Sequence, residues 1–265
     1  MSARLDVALV ERGLARSRQH AKTLIDAGRV QVGAAVARRP AAAVAPDTTV
    51  RVAADPDDPG YVSRAAHKLA GALDRWEDLR VAGRDCLDVG ASTGGFTDVL
   101  LRRGARRVVA VDVGHGQLDP RLRADPRVEL REGVNARDLR AGDVDPAPTL
   151  VVADLSFISL RLVLEAVASV AAPDADLVVL VKPQFEVGRS GLGPGGVVRD
   201  PRARRQAVVG VLEVAETLGL AARGLAASTL PGPAGNLEYP LWLTRGPREP
   251  GQRETLLDEV FGGLR

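Results

Sequence analysis

The sequence contains a single cysteine, Cys86, among 265 residues. One cysteine excludes an intramolecular disulfide bond and any metal site built from several cysteines. Cys86 stands just before an apolar run, which favours a buried packing role over a reactive thiol. The histidines, His20, His67 and His115, show no metal-ligand spacing. The sequence therefore predicts no metal site.

Long apolar runs are also missing from the chain. No uncharged apolar stretch reaches the roughly 18 residues that a membrane span requires. The opening stretch, MSARLDVALVERG, carries charges throughout and lacks the apolar core of a signal peptide. We therefore expect a soluble, cytoplasmic protein with no membrane partner.

Lysine is scarce in a chain that is rich in arginine. Of 36 basic residues, all but Lys22, Lys68 and Lys182 are arginine. Arginine supplies charge and phosphate contacts well, but it does not readily release its proton. A position that keeps lysine here is therefore a candidate for chemistry, with chance retention as the alternative.

Positive charge is concentrated at the beginning of the chain. Residues 1–52 hold nine Lys/Arg and four Asp/Glu, a net +5, and with a total of +2 the remainder sums to −3. This asymmetry favours a polyanion-binding module attached to a larger body. A solvated charged face is the alternative, and charge alone does not decide between the two.

Residues 1–52 predict a small α+β module. Helical spacing predicts a first helix that ends at Gly13, and Ser17 is a plausible N-cap for a second helix that Gly28 closes. The segments RVQV and TVRV predict short strands. The pattern RLD, then SR, then a V-x-V-G turn resembles the alpha-L RNA-binding domain, first known from a ribosomal small-subunit protein. The candidate RNA-binding residues are Arg4, Arg12, Arg16, Arg18, Lys22 and, beyond this module, Arg64.

A linker and a second, larger domain follow. Residues 53–60, AADPDDPG, contain two prolines and three acids, which predicts a linker. From residue 61 to residue 265, strand and helix signals alternate, which predicts an α/β domain with a doubly wound, mostly parallel sheet of seven strands. The predicted strands are Cys86–Val89, Val108–Val113, one just before LREGVNARDL, Leu150–Ala153, Leu177–Val181, Ala222–Ser228 and YPLWLTR; the predicted helices include Phe96–Arg103, Leu160–Ala171 and Arg202–Leu218.

The stretch LDVGASTGGFTDVLL, residues 87–101, joins the first of these strands to a helix. Its glycines would let the backbone approach a ligand closely. The order Asp-x-Gly-x-x-x-Gly-Gly is not the dinucleotide fingerprint. It resembles the first motif of S-adenosylmethionine-dependent methyltransferases, whose domain is Rossmann-like; a nucleotide or phosphate loop of another kind is the alternative. On this resemblance the residues expected to bind S-adenosylmethionine are Asp88, Gly90, Ser92, Gly94, Gly95, Phe96, Asp112, Asn135 and Asp154.

Four polar residues are expected at one edge of the predicted sheet. Asp154 ends the strand LVVAD, Lys182 ends LVVLVK, and Glu238 opens the last strand, EYPLWL. Lys68 lies on the helix ahead of the first strand. The carboxyl ends of parallel strands meet at the edge where ligands bind. Taken singly, a lysine that reaches to solvent and an aspartate that caps a helix are the alternatives.

The order Lys68, Asp154, Lys182, Glu238 resembles the catalytic pattern of FtsJ-like ribose methyltransferases. An alpha-L domain fused to such a domain, with the segments YVSRAAHKL, DLSFISL, VKPQFE and GNLEYPLWL, resembles the TlyA family of ribosomal RNA methyltransferases, also called haemolysin A. The resemblance implies 2′-O-methylation of cytidines in 16S and 23S ribosomal RNA, sensitivity to capreomycin, and ribosomal RNA or ribosomal subunits as partners.

The residue types suit that chemistry. Lys182 is expected to orient the hydroxyl and either to remove its proton or to stabilise the developing alkoxide, with Asp154 and Glu238 holding the two ammonium groups. No metal is required. The glycine-rich segment Phe185–Asp200 is either a mobile loop that closes over the site or a slack connection. A non-catalytic ribosome-assembly factor and a pore-forming haemolysin are the alternative functions.

Overall fold

A computed structural model describes residues 2–15, 17–53, 59–232, 234–247 and 249–262 of the chain. The chain divides into two compact units, Met1–Gly60 and Tyr61–Arg265. Residues 54–58, within the predicted linker, lie outside the described residues, as does Arg16.

The smaller unit packs two helices against short strands. Its elements are β1 (Ala3–Arg4), α1 (Leu5–Glu11), α2 (Arg18–Asp26), β2 (Val30–Val32), β3 (Ala35–Val36), β4 (Ala43–Val44) and β5 (Val50–Val52). Ser17 caps α2 as expected, because its hydroxyl accepts the backbone N–H of His20 at 3.1 Å. Gly28, with φ +71°, follows the end of α2. Leu9 and Ile25 lie in the core of this unit.

The larger unit is built on a seven-stranded sheet within the described residues. Its elements are α3 (Ala66–Arg75), β6 (Asp85–Val89), α4 (Gly95–Arg102), β7 (Arg107–Asp112), α5 (Pro120–Arg123), β8 (Val128–Glu132), β9 (Leu150–Ala153), α6 (Leu164–Ser169), β10 (Asp176–Val181), α7 (Pro183–Glu186), α8 (Pro201–Thr217), β11 (Leu220–Leu225), β12 (Tyr239–Arg245) and α9 (Gln252–Phe261). The strand order is β11-β12-β10-β9-β6-β7-β8, and β12 runs antiparallel to both of its neighbours. This confirms the Rossmann-like fold class. In the described part of the chain, no helix has the length and apolar character needed to cross a membrane.

The central strands are apolar because both faces of the sheet are covered. On β6, Cys86 faces the core formed with α3 and α4, whereas Leu87 faces the core formed with α6 and α8. Alternate residues of one strand therefore enter different cores, which explains a continuous apolar run where a half-exposed strand would alternate.

Sheet topology brings the predicted site residues to one edge. From β6 the chain first adds β7 and β8 on one side of the sheet and then crosses to add β9 and β10 on the other. The strand order therefore reverses between β6 and β9, where Val89 pairs with Ala153. Doubly wound sheets bind ligands at this position. Antiparallel pairing of Val181 with Tyr239 brings the end of β10 beside the start of β12. These paired residues are the direct sequence neighbours of the site residues. Each of the first three strands is followed by one of them, and β12 is preceded by the fourth: Gly90, Asp154, Lys182 and Glu238.

Two predicted elements differ from the structure. The helix predicted over Leu160–Ala171 is a 3-10 turn, Leu160–Leu162, followed by α6, with the break at Val163 (φ −124°). The strand predicted over Ala222–Ser228 is β11, which begins two residues earlier and has a bulge before Gly224. The bulge accommodates Trp76, since a Cβ at Gly224 would lie 2.5 Å from the Trp76 indole nitrogen.

The glycine-rich segment predicted as mobile or slack contains two short 3-10 turns, Arg189–Gly191 and Pro194–Gly196. Asn236 is buried and holds the second turn: its amide donates to the Gly196 carbonyl at 3.0 Å and accepts from the Val198 N–H at 2.9 Å. The segment is therefore anchored beside the strand that follows Glu238.

Candidate active site

Two adjoining cavities open at this edge of the sheet. The larger has a volume of about 500 Å³ and the smaller about 260 Å³. They share Gly90, Ser92, Asp154 and Ser156 as lining residues. One cavity can therefore hold a ligand whose reactive end faces a second ligand in the other.

The larger cavity combines apolar walls with a few polar groups. Val111, Val134 and Ile158 line it, together with Asp112 and Asn135. Asp112 accepts the backbone N–H groups of Ser92 at 2.8 Å and of Gly114 at 2.6 Å, so its carboxylate is fixed at the rim. The Asn135 side chain accepts the Arg137 N–H at 3.0 Å. An apolar slot with a fixed carboxylate suits a nucleoside.

The glycines of the loop between β6 and α4 have no room for a side chain, because other residues of the protein occupy the space that a Cβ would take. A Cβ on Gly90 would lie 2.7 Å from the Asp154 carbonyl oxygen, and Gly90 has φ +87°. A Cβ on Gly94 would overlap Leu122, and one on Gly95 would overlap the Ser63 hydroxyl. Gly90 and Gly95 still line cavities, whereas Gly94 lines neither. A contact between the Gly94 backbone and the ligand stays a prediction.

Ser92 and Phe96 lie where a ligand-binding loop would place them. Ser92 has a positive φ of +49°, its hydroxyl donates to the Gln117 amide oxygen at 3.1 Å, and it lines both cavities. Phe96 lines the smaller cavity.

Asp88 does not reach either cavity. It is fully buried, and one carboxylate oxygen accepts the Thr97 hydroxyl at 2.7 Å while the other has no hydrogen-bond partner among the described residues. Burial raises the pKa of Asp88 to about 7, and the Asp154 charge adds to this, while the Thr97 hydrogen bond opposes it. Asp88 therefore lies beneath the loop and lines neither cavity, and its contact with the cofactor stays a prediction.

Lys68 and Glu238 form a buried ion pair. Lys68 on α3 donates to Glu238 at 2.5 Å, and both side chains are almost completely buried. The amide of Gln184 donates to the second Glu238 oxygen at 3.2 Å. Lys68 lines the smaller cavity but Glu238 does not. The structure therefore brings Glu238 to the other three polar residues, but behind Lys68, which it holds, and not in the wall of the cavity.

Lys182 and Asp154 form the second pair. Lys182 Nζ lies 2.6 Å from Asp154 Oδ1 and donates to the Ser156 hydroxyl at 2.9 Å. Asp154 also lies 3.9 Å from Lys68 Nζ. Lys68, Asp154 and Lys182 all line the smaller cavity. Two lysines and two carboxylates, formally neutral together, thus meet beside the larger cavity.

Sequence reasoning noted Ser156 only as a polar residue after Asp154, and it missed Gln184 and Phe157. Phe157 has φ +63° and is 92% exposed, and its ring lies 5.4 Å from that of Phe185. A non-glycine residue at positive φ is uncommon, and one that exposes an aromatic ring beside a polar cluster is suited to contact a ligand. All three residues lie in segments that carry the family resemblance: Ser156 and Phe157 in DLSFISL, and Gln184 in VKPQFE.

The predicted RNA-binding residues have different surroundings. Arg12 donates to the carbonyls of Thr48 (2.6 Å), Ala45 and Pro46, so it also links parts of the fold, and its contact with RNA stays a prediction. Arg64 is exposed and donates weakly, at 3.5 Å, to the Pro231 carbonyl.

Arg4 and Arg18 both pair with Asp6, and they line a cavity together with Lys22. Arg16 lies outside the described residues. Among the described residues, no group of three or more His, Cys, Asp or Glu side chains could hold a metal ion.

Comparison with known proteins gives matches over both units. Residues 61–245 match the model of the FtsJ-like methyltransferase family, and residues 3–50 match that of the S4 domain. The 16S/23S rRNA (cytidine-2′-O)-methyltransferase TlyA of Mycobacterium tuberculosis is 56% identical over 241 residues, which cover 91% of this chain and 89% of that protein. Hemolysin A of Brachyspira hyodysenteriae is 35% identical over 237 residues, 89% of this chain and 97% of that protein.

A solved structure from Streptococcus thermophilus, provisionally described as a hemolysin, is similar along the whole chain. It is 35% identical, with a TM-score of 0.77, and the match covers 98% of this chain and 94% of that one.

Proposed function

Because this chain belongs to the FtsJ-like methyltransferase family and carries an S4 domain, we propose that it methylates the 2′-hydroxyl of cytidines in 16S and 23S ribosomal RNA. The enzyme depends on S-adenosylmethionine. The observation that carries the proposal is the meeting of Lys68, Asp154 and Lys182, with Glu238 behind them, where two cavities join.

The larger cavity fits S-adenosylmethionine. Its volume of about 500 Å³ is in the usual range for cofactor pockets. Asp112 would bind the ribose hydroxyls, Asn135 would contact the adenine edge, and Gly90 and Ser92 would lie against the methionine part. When bound, S-adenosylmethionine supplies an electrophilic methyl group.

Lys182 is the residue that acts on the ribose hydroxyl. A lysine ammonium has three N–H donors. One donates to the Ser156 hydroxyl at 2.9 Å, and Asp154 Oδ1 lies 2.6 Å from Nζ as an ion pair. A further N–H would donate to the 2′-oxygen in the smaller cavity. To accept the hydroxyl proton, Lys182 must first pass one proton to Asp154 Oδ1 and turn the freed lone pair towards the 2′-hydroxyl; the ammonium formed by that transfer then stabilises charge on the oxygen.

Lys68 and Glu238 support this arrangement electrostatically. Lys68 lies 3.9 Å from Asp154, so it stabilises negative charge on that carboxylate. Glu238, fixed by Gln184, keeps Lys68 in place. Because the groups are buried, their mutual interactions are stronger than they would be in water.

Phe157 offers a surface for the target base. Its exposed ring lies next in sequence to Ser156, which contacts Lys182. Sequence-tolerant stacking on aromatic side chains is the common way in which proteins hold unpaired RNA bases. A cytidine whose ribose enters the smaller cavity must leave its helix, and stacking on Phe157 would stabilise it there.

The S4 domain would supply affinity for ribosomal RNA or ribosomal subunits through phosphate contacts of Arg4, Arg18 and Lys22. We place this activity in the cytoplasm, where ribosomes are made, and expect the methylated ribosomes to be capreomycin-sensitive, as the family resemblance implies. Phosphate contacts make binding weaken with added salt.

The direct test is transfer of tritiated methyl groups from S-adenosylmethionine to purified ribosomal subunits and to their extracted RNA. Lys182→Ala should lower kcat by at least about 10³-fold, because both proton transfer and charge stabilisation are lost. Lys182→Arg should be nearly as inactive, since arginine keeps the charge but not the proton chemistry.

Arg223→Ala is the matched control, because it removes one positive charge from an exposed site on β11 and should leave transfer unchanged. Calorimetry should find S-adenosylmethionine binding retained in Lys182→Ala. Absence of methyl transfer by the wild type to any ribosomal particle would favour a non-catalytic ribosome-assembly factor.

A further inference from the structure

The smaller unit contains a buried acid between exposed cations. Asp6, on α1, is 5% exposed, whereas the Arg4 and Arg18 side chains are 51% and 64% exposed. Lys22 on α2 completes the group, which we name the Asp6 cluster: Arg4, Asp6, Arg18 and Lys22. These four residues line a cavity of about 520 Å³ together with Gln19, Pro40 and Ala41.

Asp6 contacts both arginines at close range. Arg4 binds it through two parallel hydrogen bonds, Nε to Oδ1 at 3.0 Å and Nη2 to Oδ2 at 3.1 Å. Arg18 donates to Oδ2 from Nη2 at 2.9 Å and from Nε at 3.3 Å. The Arg4 hydrogen bonds, assisted by Arg18, hold the pKa of Asp6 well below its usual range.

The acid itself is fixed by the backbone. The Asp6 N–H donates to the Pro40 carbonyl at 2.9 Å, and the neighbouring Leu5 N–H donates to the Ala42 carbonyl at 2.8 Å. Asp6 Oδ1 also accepts the Val7 N–H at 3.1 Å. The two guanidinium groups are therefore held against a rigid part of the fold.

The hydrogen bonds to Asp6 use only part of each guanidinium group. A guanidinium has five N–H donors in a planar fork. Within the described part of the chain, Asp6 accepts from two donors of each arginine, so three of the five N–H groups on each remain for other partners. The cluster carries a formal +2 despite the acid, and planar forks suit phosphate oxygens better than single ammonium groups do.

We infer that Asp6 is a positioning residue for RNA binding, which orders Arg4 and Arg18 as a pair of phosphate ligands. The inference rests on the proposed function and names how the S4 unit binds its substrate. It has an unusual consequence: removing a negative charge from this face weakens binding to a polyanion. Charge counting alone gives the opposite sign, because it would have the neutral variant bind more tightly.

The test uses the full-length protein and a fluorescein-labelled RNA hairpin without cytidine, so that affinity reports backbone contacts alone. Asp6→Asn should raise Kd about tenfold, because Arg4 and Arg18, no longer held by the carboxylate, are not ordered against the phosphates and their contacts are lost. The slope of log Kd against log salt should also fall by about 1.5, the value for two lost phosphate contacts. A merely structural role would not change that slope.

Asp26→Asn is the matched control, since Asp26 is an exposed acid at the end of α2 in the same unit. It should bind as tightly as the wild type or slightly more tightly. Arg18→Lys keeps the charge but cannot be held by a guanidinium fork, so it should lose affinity several-fold. If Asp6→Asn fails to fold, as judged by circular dichroism, Arg18→Lys decides the matter alone.

Asp6→Asn that folds and binds as tightly as the wild type, with the same salt slope, overturns the inference, and so does full affinity in Arg18→Lys. If the wild type methylates ribosomal RNA while these variants bind normally, the inference alone fails. If the wild type neither methylates nor binds, the proposed function fails first.

Discussion

In an Asp88→Asn variant, the stability of the larger unit relative to that of the wild type should increase as pH rises. Burial raises the pKa of Asp88 from its ordinary value of 3.8 to about 7. Between those values the native state keeps a proton that the unfolded chain has released, so the free energy of unfolding falls with rising pH. Asparagine does not titrate and escapes this loss.

The size of the effect follows from the two pKa values. One pKa unit is worth about 1.36 kcal/mol. Integrated from pH 5 to pH 8.5, an acid with a pKa of 3.8 unfolded and about 7 folded loses about 3 kcal/mol of stability relative to a neutral residue. Any fixed cost of placing the asparagine amide beside Thr97 is the same at both pH values, so the difference between them isolates the titration of Asp88.

Urea unfolding followed by tryptophan fluorescence provides the measurement. Both tryptophans, Trp76 and Trp242, lie in the larger unit with ring centroids 5.8 Å apart, so their signal reports that unit. Unfolding curves at pH 5 and pH 8.5 give the stability difference between Asp88→Asn and the wild type at each pH.

Asp85, on the same strand, supplies a control of opposite sign. Hydrogen bonds from Arg106 lower the pKa of Asp85, so its stabilisation is fully present above the unfolded pKa near 3.8 and is lost as pH falls through the lower folded value. Asp85→Asn should therefore destabilise the unit equally at pH 5 and pH 8.5. A flat difference for Asp88→Asn as well would refute the argument that Asp88 is buried and uncompensated.

Two further predictions concern the cavities. Ser156→Ala should lower kcat about tenfold or more with little change in either KM, because Lys182 loses a charged hydrogen bond that orients it. Ser156→Thr should restore the rate, and Ser159→Ala, in the same loop but bonded to Glu186, is the control. Asp112→Ala should weaken S-adenosylmethionine binding, measured by calorimetry, about 10- to 100-fold through loss of charge-assisted hydrogen bonds. An unchanged Kd would contradict the proposal that S-adenosylmethionine binds in the larger cavity.

Convergence of the polar residues was predictable because sheet topology dictates it. Parallel strands that alternate with helices must place their carboxyl ends at one edge, and an antiparallel last strand must begin there. The strands ending before Asp154 and Lys182 were therefore enough to locate the site. Lys68, on a helix, needed the family pattern as well, because helical spacing alone does not say which residue reaches over the sheet.

Contacts made from outside a segment were not predictable. The break in the helix after Leu160 coincides with buried Glu186, which accepts the Leu160 N–H at 2.7 Å and the Ser159 hydroxyl at 2.5 Å. Glu186 is more than twenty positions away from Ser159 and Leu160 in sequence. Local helix propensity could therefore not reveal that these contacts with Glu186 accompany the break in the helix. The position of Glu238 behind Lys68 has the same origin, since it depends on Gln184 and on the close approach of Gly232.

The glycine-rich loop shows how one pattern can have two causes. Sequence reasoning assigned its bare backbone to the ligand, yet at Gly94 the space for a Cβ is taken by Leu122, and at Gly95 by Ser63. A side chain at Gly94 would also require φ near +94°, which is costly for any other residue. Loss of activity in a Gly94 variant would thus reflect displacement of the loop and of α5. Asp112→Ala leaves those packing contacts intact but removes the acceptor of the Ser92 and Gly114 N–H groups, so its loss of donor binding is assigned to the ligand only when its unfolding midpoint matches that of the wild type.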